Sequence, residues 1–267
     1  MPPDLSFAIA LIVKMTITAG FVLAATMTAE RAGPLVGGLV STLPIGAGPV
    51  YVFLALDHDA HFIAQSAVAS LALNAANVIL ALVYALLAQK RSLAVSLPVA
   101  FAVWLVLAAA VHSIAWSFAA AAAVNIVVFS VGLWLARPLR HVRMPAFHAA
   151  WYELAMRAVL VAILVGVVVT FSFQIGPGGS GILAVFPIVL LSIMFILHRR
   201  VGGKPAAAVL ANAITGLIGF GFATTALHFS AAAFGSAWGL TIALAVSIGW
   251  SLLVFGARRR PGVPAIE

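Results

Sequence analysis

The groups in this chain that could do chemistry lie where polar chemistry is costly. Lys14 falls about eight residues into an apolar run, and Arg157 about seven into another, roughly 10–12 Å deep at the rise of a helix. Charges at such depth are rare and usually functional, although long basic side chains can also reach back to an interface. Their obvious chemistry is attraction of an anionic solute or headgroup. Arg157 has Glu153 one turn before it as a candidate salt-bridge partner, while Lys14 has no acid near it in sequence. Asn74 and Asn77 are one turn apart and share a helix face, and Asn212 and Thr215 repeat that spacing. Such groups must find hydrogen bonds inside a bundle, as interhelical ties or as ligands for a solute or a dehydrated Na⁺. Asn125 reads as a tie.

These residues need elements that hold them in a bilayer. The chain has 267 residues, 64% of them hydrophobic and only 7% charged. A soluble domain carries about a quarter charged residues. The uncharged runs are continuous and long enough for repeated crossings, since one crossing needs about 20 apolar residues. A polytopic all-α membrane protein follows, not a β-barrel with its short alternating segments. The net charge of +8 does not point to nucleic acid, because the basic residues come in small groups between apolar runs, as topology signals do. Cysteine is absent, which excludes disulfides, zinc–thiolate sites and thiol catalysis. The start, MPPDLSFAIALIVK, has no basic region before its apolar run and reads as a first span, not a cleaved signal.

Outside Lys14 and Arg157, the Lys and Arg residues form five groups: Arg31; Lys90–Arg91; Arg137, Arg140 and Arg143; Arg199, Arg200 and Lys204; and Arg258–Arg260. If all face the cytoplasm, each interval between them holds an even number of spans. One span precedes Arg31 and two fit each later interval, with turns at Asp57–Asp59, near His112–Ser113, at Gln174–Pro177 and near His228. About nine spans result, with the N-terminus outside and the C-terminus inside.

A shift of 143 residues places Lys14 on Arg157, Gly33-Pro34 on Gly176-Pro177, Gly38 on Gly181 and Pro44 on Pro187. With five residues removed from a loop, Asn74 and Asn77 fall on Asn212 and Thr215. Five spans precede the second copy, so the repeats have inverted topology, a recurring plan for secondary transporters. The expected organisation is a first repeat over 1–113, a linker span and basic loop over 114–143, a second repeat over 144–257 and a basic tail over 258–267. Pro44 and Pro187 fall near the middle of corresponding spans, where proline breaks the backbone ladder. Gly46, Gly48 and Pro49 extend the first break, and Gly38 and Gly181 allow close approach of a neighbour. Broken backbone at membrane depth persists only where protein or a wet cavity covers it. The breaks therefore either shape the bundle or line a solute site.

All six acids, Asp4, Glu30, Asp57, Asp59, Glu153 and Glu267, fall at or beyond the interfaces, which argues against a buried carboxylate proton relay. Asp57-His58-Asp59-Ala60-His61 has metal-ligand residue types but the ordinary composition of a polar loop. No Walker A, HExxH or GxSxG motif is present, and no enzyme, metal or cofactor is expected.

The stretch Glu30-Arg31-x-Gly33-Pro34-x-x-Gly37-Gly38-Leu39-x-x-x-x-Pro44, after a span bearing Lys14, resembles the GlpM-like family of bacterial membrane proteins. That resemblance implies a polytopic inner-membrane protein with ties to envelope polysaccharide and glycerol metabolism, and it does not fix a substrate. A weaker similarity is to TauE-type sulfonate and sulfite permeases, although here the triple glycine is interrupted and the Gly-to-Pro spacing is one residue longer. The leading expectation is a secondary transporter of a small anionic solute by alternating access. Lys14 and Arg157 would attract the anion, and Asn74, Asn77, Asn212 and Thr215 would bind polar atoms or a coupling ion. Two rivals are a flippase for a lipid or lipid-linked intermediate, marked by a groove open to lipid, and an accessory subunit of an envelope complex. The bilayer is the expected partner, homo-oligomers are compatible, and nucleic acid is not expected.

Overall fold

Backbone in hydrocarbon has no water to bond, so runs this apolar must satisfy their amides within themselves as helices. The computed structural model describes residues 3–31, 46–140 and 151–258, with side chains for 5–27, 46–140 and 152–257. Its elements are α1 (Pro3–Arg31), α2 (Ala47–Asp57), α3 (Ala60–Leu87), α4 (Leu93–His112) and α5 (Phe118–Ala136), which ends in a 3₁₀ turn, Arg137–Leu139. They continue with α6 (Trp151–Ala184), α7 (Ile188–Val201), α8 (Gly203–Phe234) and α9 (Ser236–Arg258), and no strand occurs among the described residues. Seven stretches are long and apolar enough to cross a membrane: Leu5–Met27, Ala60–Leu87, Leu93–His112, Phe118–Leu139, Tyr152–Val201, Gly203–Phe234 and Ser236–Ala257.

By length and composition seven stretches qualify where charge parity gave nine, and two features account for the difference. The second span is represented by α2 alone, whose 11 residues are too few to cross, its earlier half lying outside the described residues. The 50 residues Tyr152–Val201 form one apolar stretch but do not run straight. A straight helix of that length would separate its ends by about 70 Å. Yet Arg200 Nη2 lies 2.7 Å from Glu153 Oε1. The chain doubles back at Gly176, whose φ of 66° and ψ of −175° only glycine adopts readily. Gly202 (φ 88°) and Gly235 (φ 87°) share that backbone shape at the α7–α8 and α8–α9 junctions. The last turn thus lies at Gly235 and not near His228, which sits within α8.

Packing centres on α3, the most buried helix, which runs antiparallel to α8 along its length. At one end His228 Nδ1 lies 2.8 Å from the Ala64 carbonyl, and at the other Gly203 abuts the Ala88 carbonyl with no room for a Cβ. The α6 helix packs on another side of α3, α7 lies chiefly against α8, and α1 and α2 lie against α6. Across the chain's two halves, α3 packs along α8. One end of the bundle carries Asp57–Asp59 and Gly176; the opposite end gathers Lys90, Arg91, Arg137, Arg140, Arg199, Arg200 and Lys204. They are called the acidic and basic ends below.

Candidate functional site

One face of α3 is polar along its length. Ser70, Asn77 and Tyr84 recur at helical spacing and reach, in order, the end of α6, the break after it and α7. Ser70 Oγ donates to the Gly181 carbonyl at 2.7 Å, Asn77 Nδ2 to the Val185 carbonyl at 3.1 Å, and Tyr84 Oη to the Met194 carbonyl at 3.2 Å. The middle bond has a clear cause. Residues 185–187 are not helical, and Pro187 stands as the N-cap of α7, so the ladder is interrupted there. Asn77 supplies the donor that the break withdraws from Val185. Its own Oδ1 accepts from Trp104 Nε1 at 2.7 Å, and Phe186 packs edge-on against the Trp104 ring at 5.2 Å. The break at Pro187 is real, and it is sealed by protein. Asn74 is bound likewise, donating to Asn125 Oδ1 at 3.2 Å and to the Leu217 carbonyl at 3.0 Å.

Beside this spine lies an apolar cleft of about 380 Å³ between α1, α2, α8 and α9. Ile17, Phe21, Tyr51, Phe53, Leu227 and Leu244 make much of its wall. Its lining holds no charged residue, and its threonines spend their hydroxyls on their own helices: Thr18 Oγ1 donates to the Lys14 carbonyl, Thr224 to Phe220 and Thr241 to Ala237. The Tyr51 hydroxyl is turned away, 2.6 Å from Ser70 Oγ. Ile17, Val52 and Leu244 are 57%, 46% and 47% exposed, so the cleft opens at the side of the bundle.

A charged cluster stands at the acidic end. Lys14 Nζ makes a two-pronged pair with Asp57, 2.8 Å and 2.6 Å from its carboxylate oxygens. Asp57 is thus the acid that Lys14 lacked in sequence. His58 Nε2 is 2.8 Å from Ser172 Oγ, and its ring stacks on Phe62 at 3.7 Å. Burial lowers the His58 pKa, against the upward pull of Asp57 and Asp59 and with a small downward push from Lys14. Asp59 Oδ1 accepts from the Phe62 amide and caps α3. Asp57 and His58 tie α2 and its end to α1 and α6, Asp59 caps α3, and His61 lies 2.7 Å from Gln65 on its own helix; no metal-ligating group of three assembles among the described residues.

The six expected site residues do not converge. Lys14 is at the acidic end. Met15, its neighbour, packs where Gly166 leaves space, and Arg157 lies nine residues before Gly166, about 13 Å further toward the basic end. Glu153, the expected partner of Arg157, is paired with Arg200. Asn74 and Asn77 are buried at the centre. Asn212 and Thr215 are only part-buried, in the basic half of α8, where Asn212 Nδ2 donates to the Ala208 carbonyl at 2.9 Å and Trp250 Nε1 to the Thr215 carbonyl at 3.0 Å. Of the expected breaks, Pro187 stands in one, whereas Gly181 is helical and makes the close approach to Ser66. Gly46 is the N-cap of α2, with Gly48 and Pro49 in its first turn, where a missing proline N–H leaves no gap. Gly38 and Pro44 lie outside the described residues. Sequence reasoning missed the Tyr51–Ser70–Gly181 and Trp104–Asn77–Val185 chains. Their one signal was Ser66, Ser70, Asn74 and Asn77 at three- and four-residue steps in an apolar helix. No family model, curated protein or solved structure matches this chain.

Proposed function

We propose that this protein moves an amphiphile, a lipid or lipid-linked molecule, between the leaflets of a bacterial inner membrane. The cleft carries this reading. An uncharged wall open to the bilayer suits an acyl chain and offers nothing to a small hydrophilic anion. The leading expectation from sequence, a small-anion carrier, loses support because Lys14 is already paired and the Pro187 break is already sealed.

The framework is that of a secondary transporter with inverted repeats. The hairpin at Gly176 makes Tyr152–Val201 two crossings, and with a completed second span the count is nine. Each half then ties its first span to the end of its second by an ion pair: Lys14–Asp57 at the acidic end, Glu153–Arg200 at the basic end. Their opposite ends are what a two-fold axis in the membrane plane requires. The basic end faces the cytoplasm, which puts the N-terminus outside. Kinship with the GlpM-like proteins belongs to the same proposal.

The test is lipid scrambling. Full-length protein in vesicles that carry a fluorescent phospholipid should expose inner-leaflet probe to a membrane-impermeant quencher faster than protein-free vesicles do. Leu244→Trp, which fills the cleft from its exposed rim, should abolish the difference. Scrambling no faster than in empty vesicles, or unaffected by Leu244→Trp, would overturn the proposal. A second reading, a static accessory subunit, is favoured by the sealed break and predicts the first of those results.

A further inference from the structure

We infer that the cleft and the Lys14–Asp57 pair together form a site for a zwitterionic phospholipid, with its phosphate on Lys14 and its ammonium on Asp57. The inference rests on the proposed acyl-chain cleft and adds the headgroup.

The geometry joins the two parts. Thr18 lines the cleft, and its Oγ1 donates to the Lys14 carbonyl at 2.8 Å, so Lys14 is one helical turn beyond the apolar wall. Phe53 lines the cleft from α2, and Lys14 Nζ sits 5.8 Å from the centre of its ring. Asp57 is one turn beyond Phe53 on the same helix. A lipid with its chain in the cleft therefore carries its head to the ion pair. The pair is accessible there, with side chains 18% and 25% exposed.

Charge complementarity selects the headgroup. Two opposite charges side by side match a zwitterion, which can exchange partners with both at once. An anionic head would satisfy Lys14 but bring its negative charge against Asp57, a like-charge contact that disfavours binding. Exchange leaves neither charge uncompensated, because the phosphate takes the place of the Asp57 carboxylate on Lys14 while the ammonium takes the place of Lys14 on Asp57. An ethanolamine ammonium keeps the hydrogen-bond donors that a carboxylate accepts.

Native mass spectrometry of the full-length protein, titrated with dioleoyl phosphatidylethanolamine or phosphatidylglycerol, tests this. The wild type should retain the ethanolamine lipid preferentially. Lys14→Gln should weaken that binding by about tenfold, the scale of one charge-assisted bond. Asp57→Asn should invert the preference toward phosphatidylglycerol, whereas Asp57→Glu should keep it. A merely structural pair would change the thermal stability of these variants without reversing a lipid preference. Leu244→Trp should reduce binding of both lipids. Loss in Leu244→Trp with no change of preference in Lys14→Gln or Asp57→Asn would overturn the headgroup site and leave the cleft standing. Unchanged binding in Leu244→Trp would overturn the cleft itself. Should Asp57→Asn not purify as a single species, undiminished ethanolamine-lipid binding in Lys14→Gln suffices to reject the site.

Discussion

At the scale of single residues, Asn77 shows how one side chain holds a defect. It donates to the Val185 carbonyl beside the Pro187 break and accepts from Trp104. Asn77→Ala leaves both groups buried without partners, and it should cost about 1–3 kcal/mol, read as a lower Tm in detergent. Asn77→Asp should be no better, because a carboxylate cannot donate to a carbonyl. His58 makes a pH prediction. Its pKa is lowered in the folded protein, chiefly by burial, so the unfolded chain takes up the proton more readily. Stability contributed by the neutral ring is present above the unfolded pKa of about 6.5 and is lost as pH falls below it. The Tm should therefore drop between pH 7.5 and 5.5, and His58→Phe, which keeps the stack on Phe62, should shrink that drop. An equal drop in the variant would assign it elsewhere. The residue types were legible in the sequence, and their partners were not. Lys14 and Asp57 are 43 positions apart, and Asn77 and Val185 are 108 apart, so no local pattern links them.

At the scale of elements, single glycines set the direction of the chain. Gly176, Gly202 and Gly235 hold positive φ, and each ends one apolar helix and starts the next with no loop between. A Cβ there strains the backbone by about 1–3 kcal/mol. The hairpin at Gly176 has a direct test in a chain without native cysteine. Cysteines at Glu153 and Arg200 should be joined by a short bis-maleimide, because the two side chains meet at 2.7 Å. Failure to join would mean that the stretch does not reverse at Gly176. Gly181 acts through space and not through φ: a Cβ would run into the Ser66 carbonyl. Gly181→Leu should push α6 off α3 and break the Ser70 bond, destabilising the protein by about 1–3 kcal/mol or more. Helices, their polarity and most turns could be read from hydropathy and charge. The reversal inside Tyr152–Val201 was also legible, from Gly176-Pro177, although length and composition alone merge the stretch into one span.

At the scale of the whole molecule, charge is sorted to the ends. The basic groups of three separate inter-helix segments meet at one end, and among described residues Lys14 is the one Lys or Arg in the other half. Cysteines at Asp59 and Lys90 should thus be labelled by a membrane-impermeant maleimide from opposite sides of the membrane, Asp59 from outside intact cells. Labelling of both from one side would remove the proposed orientation. The same sorting explains why Lys14 pairs with Asp57: at that end no other described acid lies closer to it, and in hydrocarbon an uncompensated ammonium is costly.

The sequence by itself determined the solvent, the helical class and the segregation of charge, because these depend on composition and on the length of apolar runs, which are local properties. It also marked Pro187 as a break and Gly181 as a place of close approach, since proline and glycine impose their effect wherever they stand. Only the tertiary structure decided what those features face. Packing of α3 against the α6 hairpin turned Asn77 into a fastener, its packing against α5 and α8 did the same for Asn74, and the meeting of α1 with α2 neutralised Lys14. The space left between α1, α2, α8 and α9 became an apolar cleft that no stretch of sequence encodes, because a cavity belongs to the fit between helices and not to any one of them.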